Sequence, residues 1–142
     1  MRLAVFLLVL AAFVLLWDAG WWLAGVPPMS PPALKRALAG DTPPTVIDVR
    51  TPAEFEFFRI PGAVNVPYPA DLIDLARVAP DPSAPVVVVC MTGHRSPPTV
   101  RQMQRGGYTN VRNLTGGMLV WKLFGGPTVS GETDSGPPEP GE

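Results

Sequence analysis

Residues 3 to 17 of the chain read LAVFLLVLAAFVLLW, without one polar side chain. Asp18 interrupts this run, and Trp21, Trp22, Leu23, Ala24 and Val26 follow before Pro27-Pro28. As a helix rising 1.5 Å per residue, Leu3 to Val26 would extend about 36 Å. That length crosses a hydrocarbon core of about 30 Å with tilt, provided Asp18 sits near an interface. Trp17, Trp21 and Trp22 flank Asp18, and tryptophan favours that level of a bilayer. The competing reading is a cleaved signal peptide. Its n-region would carry only Arg2, and no clean small-x-small cleavage site follows. A buried soluble helix is the weakest reading, because the rest of the chain is too short to cover it. Residues 1–26 are therefore read as a transmembrane anchor or signal segment, with residues 3–26 in contact with the membrane. Arg2 and the amino terminus favour a single-pass arrangement with an exported, periplasmic or extracytoplasmic domain. Lys35 and Arg36 argue the other way.

The far end is separate in composition. Residues 125–142 (GGPTVSGETDSGPPEPGE) hold four acids, no base and Val129 as their one large apolar residue. Such a stretch buries too little surface to offset its chain entropy, so the sequence predicts a disordered acidic tail. Between the two ends, residues 27–124 carry ten Lys or Arg against seven Asp or Glu. This mild excess of positive charge is too small for a dedicated nucleic-acid binder, and no nucleic-acid partner is expected. With one cysteine and one histidine in the whole chain, an intramolecular disulfide and the multi-cysteine or multi-histidine metal sites are excluded. No metal and no cofactor is expected.

The 14 glycines and 19 prolines exclude a long helical bundle or coiled coil. Residues 27–124 read instead as alternating strands and helices. Ser30 can cap a helix whose first turn accepts Pro31 and Pro32, with Gly40 ending it. Thr45 to Val49 is a β-branched strand. Thr51-Pro52-Ala53-Glu54 is a capping box opening a short helix to about Phe57. A strand at Ala63 to Val66 and a helix at Ala70 to Val78 follow. Val86-Val87-Val88-Val89 shows no alternation, as expected of a parallel strand covered on both faces. Thr99 to Arg105 is predicted helical, Val111 to Leu114 a strand, and Met118 to Phe124 a helix. This spacing gives an α/β domain with a mainly parallel sheet flanked by helices, preceded by one transmembrane helix.

The chemistry gathers after Cys90. A buried strand ends in cysteine, the short loop Met91-Thr92-Gly93-His94-Arg95 follows, and Ser96 leads into a helix. Ligands of open α/β sheets collect at the carboxyl ends of strands. A loop entering a helix N-terminus turns several amides into one hollow, which favours negative charge and so a cysteine in its nucleophilic thiolate form. Gly93 allows tight curvature, and Arg95 adds a forked cationic donor suited to an anionic substrate. Pro97 and Pro98 lack N–H groups, so the cradle must come from residues 91 to 96. A lone cysteine ending an apolar strand is commonly a small core residue. The company of glycine, arginine and serine separates Cys90 from that case. His94 could tune the pocket, bind substrate or face water.

Four segments in order resemble the rhodanese family of sulfurtransferases: VIDVRTPAEFEFFRIPGAVNVP (46–67), VVVVCMTGHRS (86–96), the GGY at 106–108, and NVRNLTGGMLVW (110–121). Together they cover nearly all of residues 30 to 124, as in a single-domain member. The resemblance implies a rhodanese-like fold over 27–124. It implies a catalytic Cys90 that takes sulfane sulfur as a persulfide from a small donor such as thiosulfate or another persulfide. Cys90 would then pass that sulfur to cyanide, a thiol or a protein acceptor. Met91, Thr92, Gly93, His94, Arg95 and Ser96 would bind substrate, while Asp48 and Arg50 would position loops. Gly116-Gly117 matches the family after the last strand. Four residues separate Cys90 from Arg95, one fewer than in the C-x5-R loop of tyrosine phosphatases. The smaller ring suits one sulfur atom better than a phosphate. Phe58-Arg59 stands where the family commonly has Gly-His, which puts one pocket wall in doubt. Two other readings stay open: a non-catalytic, membrane-tethered rhodanese module that binds a partner, and a redox sensor acting through Cys90.

Overall fold

The computed structural model describes residues 2–131. Its elements are α1 (Arg2–Leu23), β1 (Pro28–Met29), α2 (Pro31–Leu38), β2 (Thr45–Asp48), α3 (Pro52–Phe57), β3 (Val64–Asn65), α4 (Leu72–Val78), β4 (Val86–Val89), α5 (Ser96–Arg105), β5 (Val111–Leu114) and α6 (Gly117–Leu123). The strands form one sheet in the order β1-β5-β4-β2-β3, and every pairing is parallel.

The four valines of β4 explain the layering. Successive side chains on a strand point to opposite faces. Val86 and Val88 join a core with Ile47, Val100 and Met103 on the α4–α5 side, and Cys90 continues that face. Val87 and Val89 join Leu34, Leu114, Met118 and Trp121 on the α2–α6 side. All four are buried, as a strand covered on both faces requires. α1 is different: none of its residues is buried, and it is long and apolar enough to cross a membrane, a property that signal sequences share.

Three details depart from the sequence expectations. β1 lies in a proline-rich stretch that carries no strand signal. It is an edge strand paired to β5 on one side, with Asn113 N donating to Pro27 O at 2.9 Å and Thr115 N to Met29 O at 3.0 Å, and this pairing does not call on the N–H that proline lacks. α5 begins at Ser96 rather than Thr99, because Pro97 and Pro98 occupy the first turn, whose amides have no intrahelical acceptor anyway. The third concerns the segment expected to be a disordered tail from Gly125 onward. Residues 125–131 lie against the domain: Arg59 and Val129 exchange backbone hydrogen bonds at 2.9 Å, and Trp121 Nε1 donates to Pro127 O at 3.0 Å. These contacts satisfy backbone groups that apolar content alone does not reveal. Residues 132–142 of that expected tail lie outside the described residues.

Asp48, the last residue of β2, and Arg50, just beyond it, form a fully buried ion pair. Arg50 Nη2 reaches Asp48 Oδ2 at 2.7 Å and also donates to Phe58 O at 2.6 Å. Asn65 Nδ2 ties the carbonyls of Asp48 and Arg50 to β3, at 2.9 Å each. Removing one partner of such a pair strands a buried charge, at a cost of about 3–5 kcal/mol. Asp48→Ala is therefore expected to destabilise the domain by about that amount and Asp48→Asn by less, read by denaturant unfolding of the detergent-solubilised chain.

Candidate active site

The loop between β4 and α5 is held from outside by α6. Met118 N donates to Cys90 O at 2.8 Å and Leu119 N to Met91 O at 3.0 Å. The first amides of α6, which have no intrahelical acceptor, are thus spent on the start of the loop. This approach needs Gly117, at φ +59°: a Cβ there would collide with the Cys90 carbonyl oxygen.

Cys90 is 1% exposed, so its thiol is sunk in the loop. Its side chain belongs to the α4–α5 core, yet two donors also reach it. Gly93 N donates to Cys90 Sγ at 3.0 Å and Ser96 Oγ at 3.3 Å. Gly93 adopts φ +90°, a conformation that turns its amide inward and that side chains disfavour. The N–H groups of Thr92, His94 and Arg95 take no protein acceptor among the described residues. Ser96 is wholly buried beneath the loop, whereas Thr92 and His94 are exposed on its rim, Thr92 Oγ1 lying 3.0 Å from His94 Nδ1. Met91 is half-buried against the α2–α6 core.

Arg95 does not stand free for an anion. Its two terminal nitrogens form a fork with the two carboxylate oxygens of Glu54, each at 2.8 Å. Glu54 is the site residue that sequence reasoning missed. Its position in the capping box was visible, but a cap explains only its bonds to Thr51, whose N and Oγ1 donate to Oε2 at 2.9 and 3.0 Å. The same carboxylate spans from the start of α3 to the Cys90 loop, over a separation that local patterns do not encode. The Phe58-Arg59 departure also resolves. The Arg50 guanidinium, at 4.9 Å, and Lys122 Nζ, at 4.5 Å, both lie over the Phe58 ring. Arg59 turns to the 125–131 segment, donating from Nη1 to Gly131 O at 2.7 Å.

The end of α1 touches this loop. Trp17 Nε1 donates to Gly93 O at 3.1 Å, and its ring lies 4.9 Å from that of His94, centroid to centroid. Gly93 is therefore held on one side by its own bond to Cys90 and on the other by the apolar helix.

A family model for the rhodanese-like domain matches residues 30–123, which include the Cys90 loop and the glycine pair that opens α6. The chain belongs to the rhodanese-like domain family. A sulfurtransferase of Allochromatium vinosum is 33% identical over 100 residues, which cover 70% of this chain and 92% of that protein. Thiosulfate sulfurtransferase 16, chloroplastic, of Arabidopsis thaliana is 32% identical over 92 residues, or 58% of this chain and 77% of the relative. Among solved structures, a thiosulfate sulfurtransferase from Pseudomonas aeruginosa aligns with a TM-score of 0.74 at 27% identity, covering 86% of this chain and 23% of that one. The parallel sheet with helices on both faces is thus a rhodanese fold, and sulfur transfer is the chemistry of its relatives. In this rhodanese-like domain the family match begins beyond α1, so Trp17 reaches the loop from outside the matched region.

The Arg95 fork and the Thr51 bonds hold the Glu54 pKa down, from an ordinary 4.5 to about 2, against a smaller opposing effect of burial. A lowered folded-state value stabilises above the unfolded pKa, and that contribution fades as pH falls from about 4.5 towards 2. The pair is about 30% exposed, so screening leaves it worth only about 1 kcal/mol. Glu54→Gln is expected to lower the melting temperature at pH 7 while flattening its fall between pH 5 and about 2.5, measured by circular dichroism.

Proposed function

We propose that the chain is a membrane-anchored sulfurtransferase working through a persulfide on Cys90. The observation that carries this reading is the pair of donors aimed at Cys90 Sγ, Gly93 N at 3.0 Å and Ser96 Oγ at 3.3 Å, in a loop with further amides unclaimed. Those amides can receive the charge that a terminal persulfide sulfur brings.

The cycle has two displacements. Cys90, as the thiolate, attacks the sulfane sulfur of thiosulfate; the S–S bond of the donor breaks and sulfite leaves with the electron pair. Cys90 then bears –S–S⁻, its outer sulfur within reach of the loop amides. A thiolate or cyanide attacks that outer sulfur, the Cys90 S–S bond breaks, and the Cys90 thiolate returns. A persulfide donor enters by the same step, with its own thiolate leaving. Because Cys90 is so deeply set, a donor's sulfur rather than its body must enter the loop, and Thr92 and His94 meet the body at the rim. Arg95, forked on Glu54, acts by holding the loop against α3. Asp48 and Arg50 position the segment from which Glu54 rises.

The anchor belongs to the same reading. α1 crosses the bilayer, Arg2 stays on the cytoplasmic side, and residues 27 onward lie outside the cytoplasm. A second reading is a non-catalytic tethered module. The depth of Cys90 and the full engagement of Arg95 with Glu54 favour it.

Intact-mass analysis separates the two. The full chain incubated with thiosulfate or a persulfide is expected to gain about 32 Da, one sulfur atom, and to lose it on adding cyanide. Cys90→Ala is expected to show neither the added mass nor turnover above the uncatalysed rate. Wild-type protein that stays unmodified with every donor, or a mutant that transfers sulfur equally well, would remove the enzyme reading in favour of the module.

A further inference from the structure

A groove of about 550 Å³ runs between the end of α1 and the outer face of α5, with Trp21, Leu72, Pro98, Arg101 and Arg105 in its walls. It lies outside the Cys90 loop. Arg101 and Arg105 are four residues apart on α5 and so share a face. Both are exposed, and neither has a carboxylate partner among the described residues. The one side-chain bond of Arg101 is a long one to Gln104 Oε1, at 3.4 Å. The apolar walls come from Trp21 and Leu72. The groove thus offers two free guanidinium groups beside an apolar surface.

Its position relative to α1 is fixed by packing. Gln104 Nε2 donates to Gly25 O at 2.8 Å, and Val26, 2% exposed, enters the domain core. Trp21 packs against the same core, and Val26 N donates to Trp21 O at 2.9 Å. The chain therefore leaves α1 without a flexible linker, and α5 is seated on the helix end. When α1 spans a bilayer, its tryptophan-bearing end lies towards the interface, where tryptophan belongs, and the groove opens at the level of the headgroups.

We propose that this groove binds the headgroup phosphate of an anionic phospholipid, with Arg101 and Arg105 on the phosphate oxygens and Trp21 and Leu72 against the glycerol and first acyl carbons. The proposal rests on the anchor reading and is independent of sulfur transfer. Arginine suits this ligand because its forked donors pair with two phosphate oxygens at once. Bound in this way, a lipid would fix the tilt of the domain on the membrane.

The test uses the full chain in nanodiscs of phosphatidylcholine with a minority of phosphatidylglycerol, released gently and examined by native mass spectrometry. Phosphatidylglycerol is expected to be enriched on the wild-type protein over its bulk share. Arg101→Gln and Arg105→Gln are each expected to reduce that enrichment about fivefold, and the double variant to abolish it. The charge-preserving pair Arg101→Lys and Arg105→Lys is expected to keep part of it, as is the exposed control Trp22→Phe to keep all. Equal enrichment in wild type and the double glutamine variant overturns the site. Displacement of the lipid by millimolar inorganic phosphate assigns the groove to free phosphate and overturns the lipid source. A chain that does not remain with the bilayer overturns the anchor reading and this proposal together, whereas a retained chain without enrichment overturns the groove alone.

Discussion

The site depends on two carbonyl oxygens, those of Cys90 and Met91, being claimed by the first amides of α6. A loop that leaves the middle strand of a parallel sheet has no ladder partner, and its carbonyls would otherwise compete for the amides that surround the thiol. By accepting from Met118 and Leu119 they are taken out of that competition. The inward side is left to N–H groups, and one of them, from Gly93, lies on Cys90 Sγ. Gly117 makes the approach sterically open, since any side chain there would strike the loop backbone. The glycine pair after β5 is thus part of the cysteine site, although it is far from it in sequence.

Charge is distributed with the same economy. The domain has a basic excess, yet the cationic groups nearest the loop are engaged. Arg50 is buried against Asp48 and roofed by Phe58; Arg95 is forked on Glu54. Each pair joins different segments. Asp48 and Arg50 tie the end of β2 to Phe58 after α3, and Glu54 ties the start of α3 to the loop after β4. The result is a chain of charge-assisted bonds from the sheet to the rim, and rigidity of a small loop follows from it more than from apolar burial, because Thr92 and His94 are exposed. Arg101 and Arg105 stand outside this arrangement, and so their charge is free to meet something other than the protein.

Much of this was legible before any coordinates. The valine run of β4, the caps at Ser30 and Thr51, and the loop CMTGHRS lie within short windows, where periodicity and local chemistry speak directly; helices and strands appear where those patterns place them. What was hidden is non-local. β1 was concealed because its pairing with β5 runs through Pro27 O and Met29 and makes no demand on a proline N–H, so it tolerates proline, which ordinarily argues against a strand. The docking of residues 125–131 on Arg59 rests on backbone pairing, and composition does not register it. Glu54 carried a visible local duty that masked its second one. The depth of Cys90 was also not readable, since exposure is set by how far α6 and α5 close over the strand end.

The least expected feature is the continuity between the apolar helix and the cysteine loop. A linker between an anchor and its domain usually leaves the two free to reorient, and inter-domain motion is the default where the contact is small. Here Gly25 and Val26 turn directly into the core, Gln104 holds the turn, and Trp17 reaches past it to the carbonyl of Gly93. The indole also lies over His94, covering one flank of the rim. On the anchor reading the Cys90 loop therefore sits at the bilayer surface by construction.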